Sequence, residues 1–299
     1  MNIKHPVMAG DKEVRVADTD GNWLPDSARN RLARYDAAGL RTSLLPVPGA
    51  VGVESVGLSP VGEVMGCIVQ YIGFVGGYGG YGGGYNGGFY QQSVSFRPYV
   101  DALYHGYNTA LGRMLTEARA MGADGVVGIR LTQSKLGENN SEFVALGTAV
   151  RANSRKRPRS LFTTELPGQD VAKLMHAGWV PTRLAIGIAV ESRYLDWQSA
   201  SQLSVMAGNT EVNAYTVLIS SVRAHARERL GAYAKKGGAD GVIVSEMSLR
   251  SWHQEANNTR LLCAESAVFG TAIARFHTGH SAPTSALKIM PLRRRNETR

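Results

Sequence analysis

The chain has 299 residues, 43% of them hydrophobic, enough for two medium domains that each bury a core. Its two cysteines, Cys67 and Cys263, are too few for a disulfide framework and point to a reducing compartment. The net charge of +9 is concentrated: residues 151–160 hold five basic side chains and no acid, and residues 281–299 hold five against Glu297 alone, so the rest is balanced. This favours a solvated linker and tail over a patterned nucleic-acid face.

Residues 1–21 are polar and aperiodic, an expected loose arm with no apolar signal-peptide core. Pro25, Asp26 and Ser27 look like a helix start, Leu32, Tyr35 and Ala38 give it one apolar face, and Gly39 suits its C-cap. Pro48-Gly49 and Pro167-Gly168 then open comparable segments. In the second of these, Val171, Leu174 and Met175 predict a short amphipathic helix ending at Gly178.

Residues 64–72 and 184–190 read as strands covered on both faces, because they are apolar with little alternation. The most apolar window, 61–75, is broken by Glu63 and Gln70 and falls short of the about 20 residues a membrane span needs. No membrane insertion and a cytoplasmic location are therefore expected. Residues 76–88 contain nine glycines and three tyrosines, a composition expected to stay a flexible loop. It is too long and repetitive for a phosphate-cradling turn. In the corresponding place, residues 196–209 read as a polar loop.

A long helix follows in each half. Val100, Leu103, Tyr107, Leu111, Met114, Ala118 and Met121 form one apolar stripe, and Tyr215, Leu218, Val222, Ala226, Leu230 and Tyr233 form another. Each helix ends in the same words. Gly122-Ala123-Asp124-Gly125-Val126-Val127 returns 116 residues later as Gly238-Ala239-Asp240-Gly241-Val242-Ile243. Gly147-Thr148-Ala149-Val150 returns 123 residues later as Gly270-Thr271-Ala272-Ile273, so the second hairpin is longer. The chain is thus a tandem repeat, each copy a β-α-β-β unit with an antiparallel sheet on one long helix, of class α+β. Three strands and one helix leave a sheet face or an edge that needs a partner. The expected layout is an arm and short helix at 1–42, repeat 1 at 43–152, a basic linker at 153–159, repeat 2 at 160–277 and a basic tail at 278–299.

These motifs, with Val61-Gly62-Glu63-Val64-Met65-Gly66 and the 162–170 segment, resemble the YbjQ family in the tandem form of actinobacteria. The resemblance covers roughly 43–152 and 160–276. It implies a dodecin-subunit-like fold and ring-shaped oligomers, commonly pentamers. It also carries a heavy-metal-binding label, which raises a divalent metal as a cofactor. Two copies per chain suggest two stacked rings of five, one ring per copy, joined by the linkers.

The residues themselves give a metal little support, since ligand sets need clustered His, Cys, Asp or Glu at defined spacing. The candidates are Cys67, His105, Cys263 and Glu265. Their counterparts in the other copy change chemistry: Ile188 for Cys67, Ser221 for His105 and Asn140 for Cys263. Asp124 and Asp240 do recur, as turn residues whose carboxylates bond nearby amides rather than as general bases. Gly122 and the Gly237-Gly238 pair suit left-handed helix caps, and valine at Gly125 or Gly241 is expected to lower stability by about 1 kcal/mol or more if the backbone there has positive φ. With Gly147, Thr148, Gly270 and Thr271 these form the structural motif. His225, between Arg223 and Arg227, reads as solvated, and no catalytic triad assembles. The leading reading is a non-enzymatic, homo-oligomeric binding or scaffold protein. The alternatives are a heavy-metal-binding protein and a nucleic-acid-associated protein acting through the linker and tail.

Overall fold

A computed structural model describes residues 26–38, 42–72, 96–155, 157–158, 160–195, 197–202, 208, 210–256 and 259–276. The expected arm, the glycine-tyrosine loop at 76–88 and the basic tail lie outside these residues. Residues 1–40 form one unit, in which helix α1 spans Asp26–Ala38. Its first-turn Asp26 pairs with Arg29, an acid placed where the helix dipole favours one.

The other unit, residues 41–299, holds both copies. In copy 1 a short helix α2 (Val47–Ser55) precedes strand β1 (Leu58–Tyr71), helix α3 (Arg97–Ala120), and the hairpin β2 (Gly125–Leu136) and β3 (Asn140–Ala152). In copy 2 a two-residue strand β4 (Phe162–Thr163) and helix α4 (Gly168–His176) precede β5 (Trp179–Tyr194). Helices α5 (Trp197–Gln202) and α6 (Asn213–Lys236) follow, then β6 (Gly241–Ala256) and β7 (Thr259–Arg275). The expected β-α-β-β order therefore appears twice. Helix α5 lies where the sequence suggested only a polar loop.

The sheets run β1-β3-β2-β4 and β5-β7-β6, antiparallel except where β4 pairs parallel with β2. Each first strand carries a bulge at a proline, Pro60/Gly62 and Pro181/Arg183, where a missing N–H is tolerated. Each long helix crosses its own sheet at a glycine. A Cβ on Gly66 would lie 2.0 Å from the Ala110 carbonyl oxygen, and one on Gly187 would lie 2.1 Å from that of Ala226. The helices can approach this closely because those strand positions carry no side chain.

The two copies are not separate beads. Residues 162–166, the start of copy 2, form the fourth strand of the copy 1 sheet: Phe162 donates to the Asp124 carbonyl at 3.1 Å and Thr164 to that of Val126 at 3.0 Å. In return Ile129 donates to the Thr164 carbonyl and Gly128 to that of Leu166. Helix α4 then packs on α2, where a Cβ on Gly168 would meet the Gly49 carbonyl at 2.3 Å. Tertiary packing thus makes a helix of Val47–Ser55, which the sequence, with its proline and two glycines, did not announce.

The second contact is larger. Leu184, Ile186, Ile188, Ala267 and Phe269 of the copy 2 sheet join Leu103, Tyr107 and Met114 of α3 in one apolar core. Helix α3 is sandwiched between its own sheet and the next. The two copies of one chain therefore pack directly against each other. The expectation of first strands covered on both faces holds for β5 and fails for β1, where Val69 and Tyr71 are 57% and 67% exposed.

Candidate functional site: the junction between the copies

The junction is built by the outward side of α3. Tyr99 donates its hydroxyl to Glu265 Oε2 on β7 at 2.6 Å, and both side chains are buried. Burial, and after it the Glu265 charge and hydrogen bond, hold the Tyr99 hydroxyl far above its usual range. Two turns along, Tyr107 sets its ring edge against Phe143 and Phe269 at centroid distances of 4.9 and 5.4 Å. Burial raises its hydroxyl as well, with Glu265 and Glu246 adding to the effect. Between them, Tyr104 accepts the Ile188 amide at 2.9 Å on the free edge of β5.

Copy 2 contributes its own polar cluster. Burial raises the Glu165 carboxyl; its hydrogen bond from Ser245 opposes the rise and the Glu246 charge adds to it. Two clefts open at the junction. One, of about 320 Å³, is lined by Ile72, Tyr99, Gln133, Lys135, Arg250 and Trp252. The other, of about 550 Å³, is lined by residues including Asp101, Tyr104, Glu191, Ser192 and Arg229. Both are wide-mouthed and partly polar, shaped for contact rather than for enclosing a small substrate.

The candidate metal ligands are dispersed. Cys67 is exposed on the face of β1 turned away from α3, and His105 is exposed on α3. Cys263 and Glu265 share one face of β7, but Glu265 is engaged by Tyr99, and Cys263 sits among Phe96, Leu261 and Trp252. Burial pushes the Cys263 thiol up to about 11, which disfavours the thiolate a metal needs. Among the described residues no group of three or more His, Cys, Asp or Glu could hold a metal ion.

The repeated motif has a structural geometry. Asp124 accepts the Ala152 amide and Asp240 the Arg275 amide, at 2.8 and 2.9 Å, tying each helix exit to the end of the last strand. Gly122 and Gly238 take φ of 67° and 72°, the left-handed caps. Gly125 and Gly241 are not at positive φ, so the condition set on valine there is not met. Gly125 is required instead by the Phe162 ring, 2.3 Å from where its Cβ would lie, whereas a Cβ on Gly241 would make only ordinary contact with Ile273 at 3.6 Å. Thr148 Oγ1 accepts the Leu44 amide, and Thr271 shares a hydrogen bond with Thr164. Gly147 and Gly270 have no room for a Cβ beside Val126 and Ile243.

Two further residues have partners. His225, exposed as expected, pairs with Glu191 of β5. In the basic linker Arg157 pairs with buried Asp124 at 2.8 Å, and both Arg157 and Arg151 donate to the Gly122 carbonyl at the end of α3. These cations serve the helix terminus, which weakens the case for a linker free to bind phosphates. Sequence reasoning missed Tyr99, Tyr104 and Glu165. The available signal was the contrast of Tyr104 and Tyr107 with Ser220 and Arg223 at the same helix positions.

This geometry defines a tandem α+β protein whose repeats recognise one another through sheet and helix faces. The chain belongs to the YbjQ family, described as "Putative heavy-metal-binding", which it matches over residues 92–153 and 162–275. It is similar to the encapsulin nanocompartment protein Rv1762c of Mycobacterium tuberculosis, with 29% identity over 252 residues, covering 82% of this chain and 89% of that protein. It is also similar to a UPF0145 protein of Vibrio campbellii, 44% identical over 55 residues, and to one of Halorubrum lacusprofundi, 42% identical over 53. Each of those alignments covers 18% of this chain and about half of the relative, 53% and 51%. Among the described residues no helix is long and apolar enough to cross a membrane.

Proposed function

We propose that this protein is a non-enzymatic, oligomeric scaffold or binding protein that works in association with an encapsulin nanocompartment. The observation that carries this reading is the junction itself, a fourth strand and a sheet face given by one repeat to the next. Such surfaces are those by which repeat units assemble. The name of the Mycobacterium tuberculosis relative, alignable over most of both chains, supplies the compartment. The reading includes a cytoplasmic protein, the five-part layout expected from the sequence, and a dodecin-subunit-like unit. A ring built from both units of each chain contains an even number of units, whereas one unit per ring gives the two stacked rings of five expected from the sequence. Light scattering on a sizing column tests the assembly: a mass several times 32.1 kDa supports it, and a monomer at 32.1 kDa refutes it. Co-purification with the host's encapsulin shell tests the compartment, and its absence refutes that part alone.

The family description favours a second reading, a heavy-metal-binding protein, with Cys263 and Glu265 on one strand face as its nearest ligands. Equilibrium dialysis with zinc, copper and nickel decides it, and no stoichiometric uptake removes it.

A further inference from the structure

The junction inside the chain joins an α3 that is covered to a copy 2 sheet that covers it. Copy 2 has the same helix, α6, and copy 1 has the same outer sheet face; α2 and α4 cover the end of that face around Leu58, Val127 and Val150, and among the described residues neither the rest of it nor α6 is covered as α3 is. We propose that a second copy of this chain fills both places. It lays its copy 1 sheet against α6 and its residues 42–45 against the edge of β6, repeating between chains the junction already made within one. This rests on the oligomeric reading above and names its surfaces.

The edge argument is the most direct. In the chain, residues 162–166 satisfy the outer edge of β2. The same edge on β6 is the end of its sheet, and Val244 stands 49% exposed there. The strap that corresponds to 162–166 is 42–45, and it is already set in the same shape. Leu166 donates its amide to Thr164 Oγ1 at 3.0 Å, and Leu45 donates its amide to Ser43 Oγ at 3.2 Å. By correspondence Ser43 donates to the Val242 carbonyl of a neighbouring copy and accepts from its Ser245 amide. An unpaired edge beside a preformed strand is a recognised route to association.

The faces agree with this in charge. Within the chain, Leu111 of α3 and Leu184 of β5 belong to one apolar cluster. At the corresponding positions of the unpartnered surfaces stand Arg227 and Glu63, so both members change together from apolar to opposite charges. Tyr107 lies close enough to Glu265 to feel its charge, and the corresponding pair is Arg223 and Glu142. Tyr215 stands where Tyr99 does, but its hydroxyl is held by His253 of β6 at 2.6 Å, so the charged pairs rather than a tyrosine bond carry this contact. Val69 and Tyr71 on the sheet face, and Val217 on the helix, supply exposed apolar surface beside these charges. The two surfaces differ from one another, so the contact is head to tail and closes into a ring or runs on as a filament.

A charge-swap experiment tests it on the full chain. One variant carries Arg223→Glu with Arg227→Glu, and the other Glu63→Arg with Glu142→Arg. Each alone is expected to lose all species above 32.1 kDa. Mixed together they are expected to recover larger species containing both variants, which also shows that each had folded. If the wild type is itself a monomer, the oligomeric reading fails. If the wild type is larger and either variant keeps its mass, or the mixture stays at 32.1 kDa, these surfaces are overturned while the oligomeric reading stands.

Discussion

The helix–sheet crossing at Gly66 offers a quantitative test of the packing. An alanine there would put Cβ 2.0 Å from the Ala110 carbonyl oxygen and 2.5 Å from the Met114 nitrogen. Both obstacles are backbone, so no side chain can swing aside and α3 itself must move. Overpacking in a close-packed interior costs typically about 1–3 kcal/mol, and a backbone obstacle argues for the upper part of that range. In a chain this large, about 1 kcal/mol shifts Tm by about 2–4 °C, so Gly66→Ala is expected to lower Tm by at least about 4 °C. Gly187→Ala, whose Cβ would lie 2.1 Å from the Ala226 oxygen, is expected to do the same in copy 2. Gly112, on the exposed side of the same α3, is the control, since nothing lies within 4 Å of its Cβ position. There alanine removes only the entropic handicap of glycine in a helix and is expected to raise stability by up to about 1 kcal/mol. Thermal melts by circular dichroism at matched protein concentration read all three. Equal Tm values for Gly66→Ala and wild type, or a fall for Gly112→Ala as large as for Gly66→Ala, would refute the argument.

Three further outcomes are expected. Asp124→Ala leaves the Ala152 amide without its acceptor and Arg157 without its partner, and is expected to cost about 1–3 kcal/mol in urea unfolding; an unchanged midpoint contradicts the structural role. Burial raises the Glu165 carboxyl above its ordinary 4.5, so the folded state binds its proton more tightly than the unfolded state does. Its contribution to stability is then full below 4.5 and is lost as pH rises through the raised value, so Glu165→Gln should gain Tm over wild type at pH 8 relative to pH 4; a pH-independent difference would count against it. Cys263, 1% exposed and with its thiol pushed up to about 11, is expected to resist a disulfide reagent at pH 8 until the chain unfolds, and labelling in the native state would contradict its placement.

Short-range patterns were enough for much of the fold. The stripes of α3 and α6, the caps at Gly122 and Gly238 and the amide-binding Asp124 and Asp240 depend on residues close in sequence or on a repeated turn, and the chain states them twice. The strands were legible in their centres and too short at their ends, because β5 runs on through Pro181 only by means of a bulge set by its pairing with β7. The site was less legible. Its residues matter through which face meets which, and that choice is made between positions far apart, as with Tyr99 and Glu265 or Thr164 and Thr271. Cys67, His105 and Cys263 drew notice as chemical types, yet the fold sends them to separate surfaces.

The sequence by itself determined that there are two copies, that each is β-α-β-β, and where each long helix stops, because periodicity and cap chemistry act within a few turns. Only the tertiary structure decided the rest. It made a helix of Val47–Ser55, where Gly52 is favourable because the backbone of α4 at Gln169 lies 2.9 Å from where its Cβ would be. It gave Gly125 its reason in the ring of Phe162, and it laid the copy 2 sheet over α3. Those outcomes come from burying apolar faces against distant partners, a free energy that local sequence does not encode.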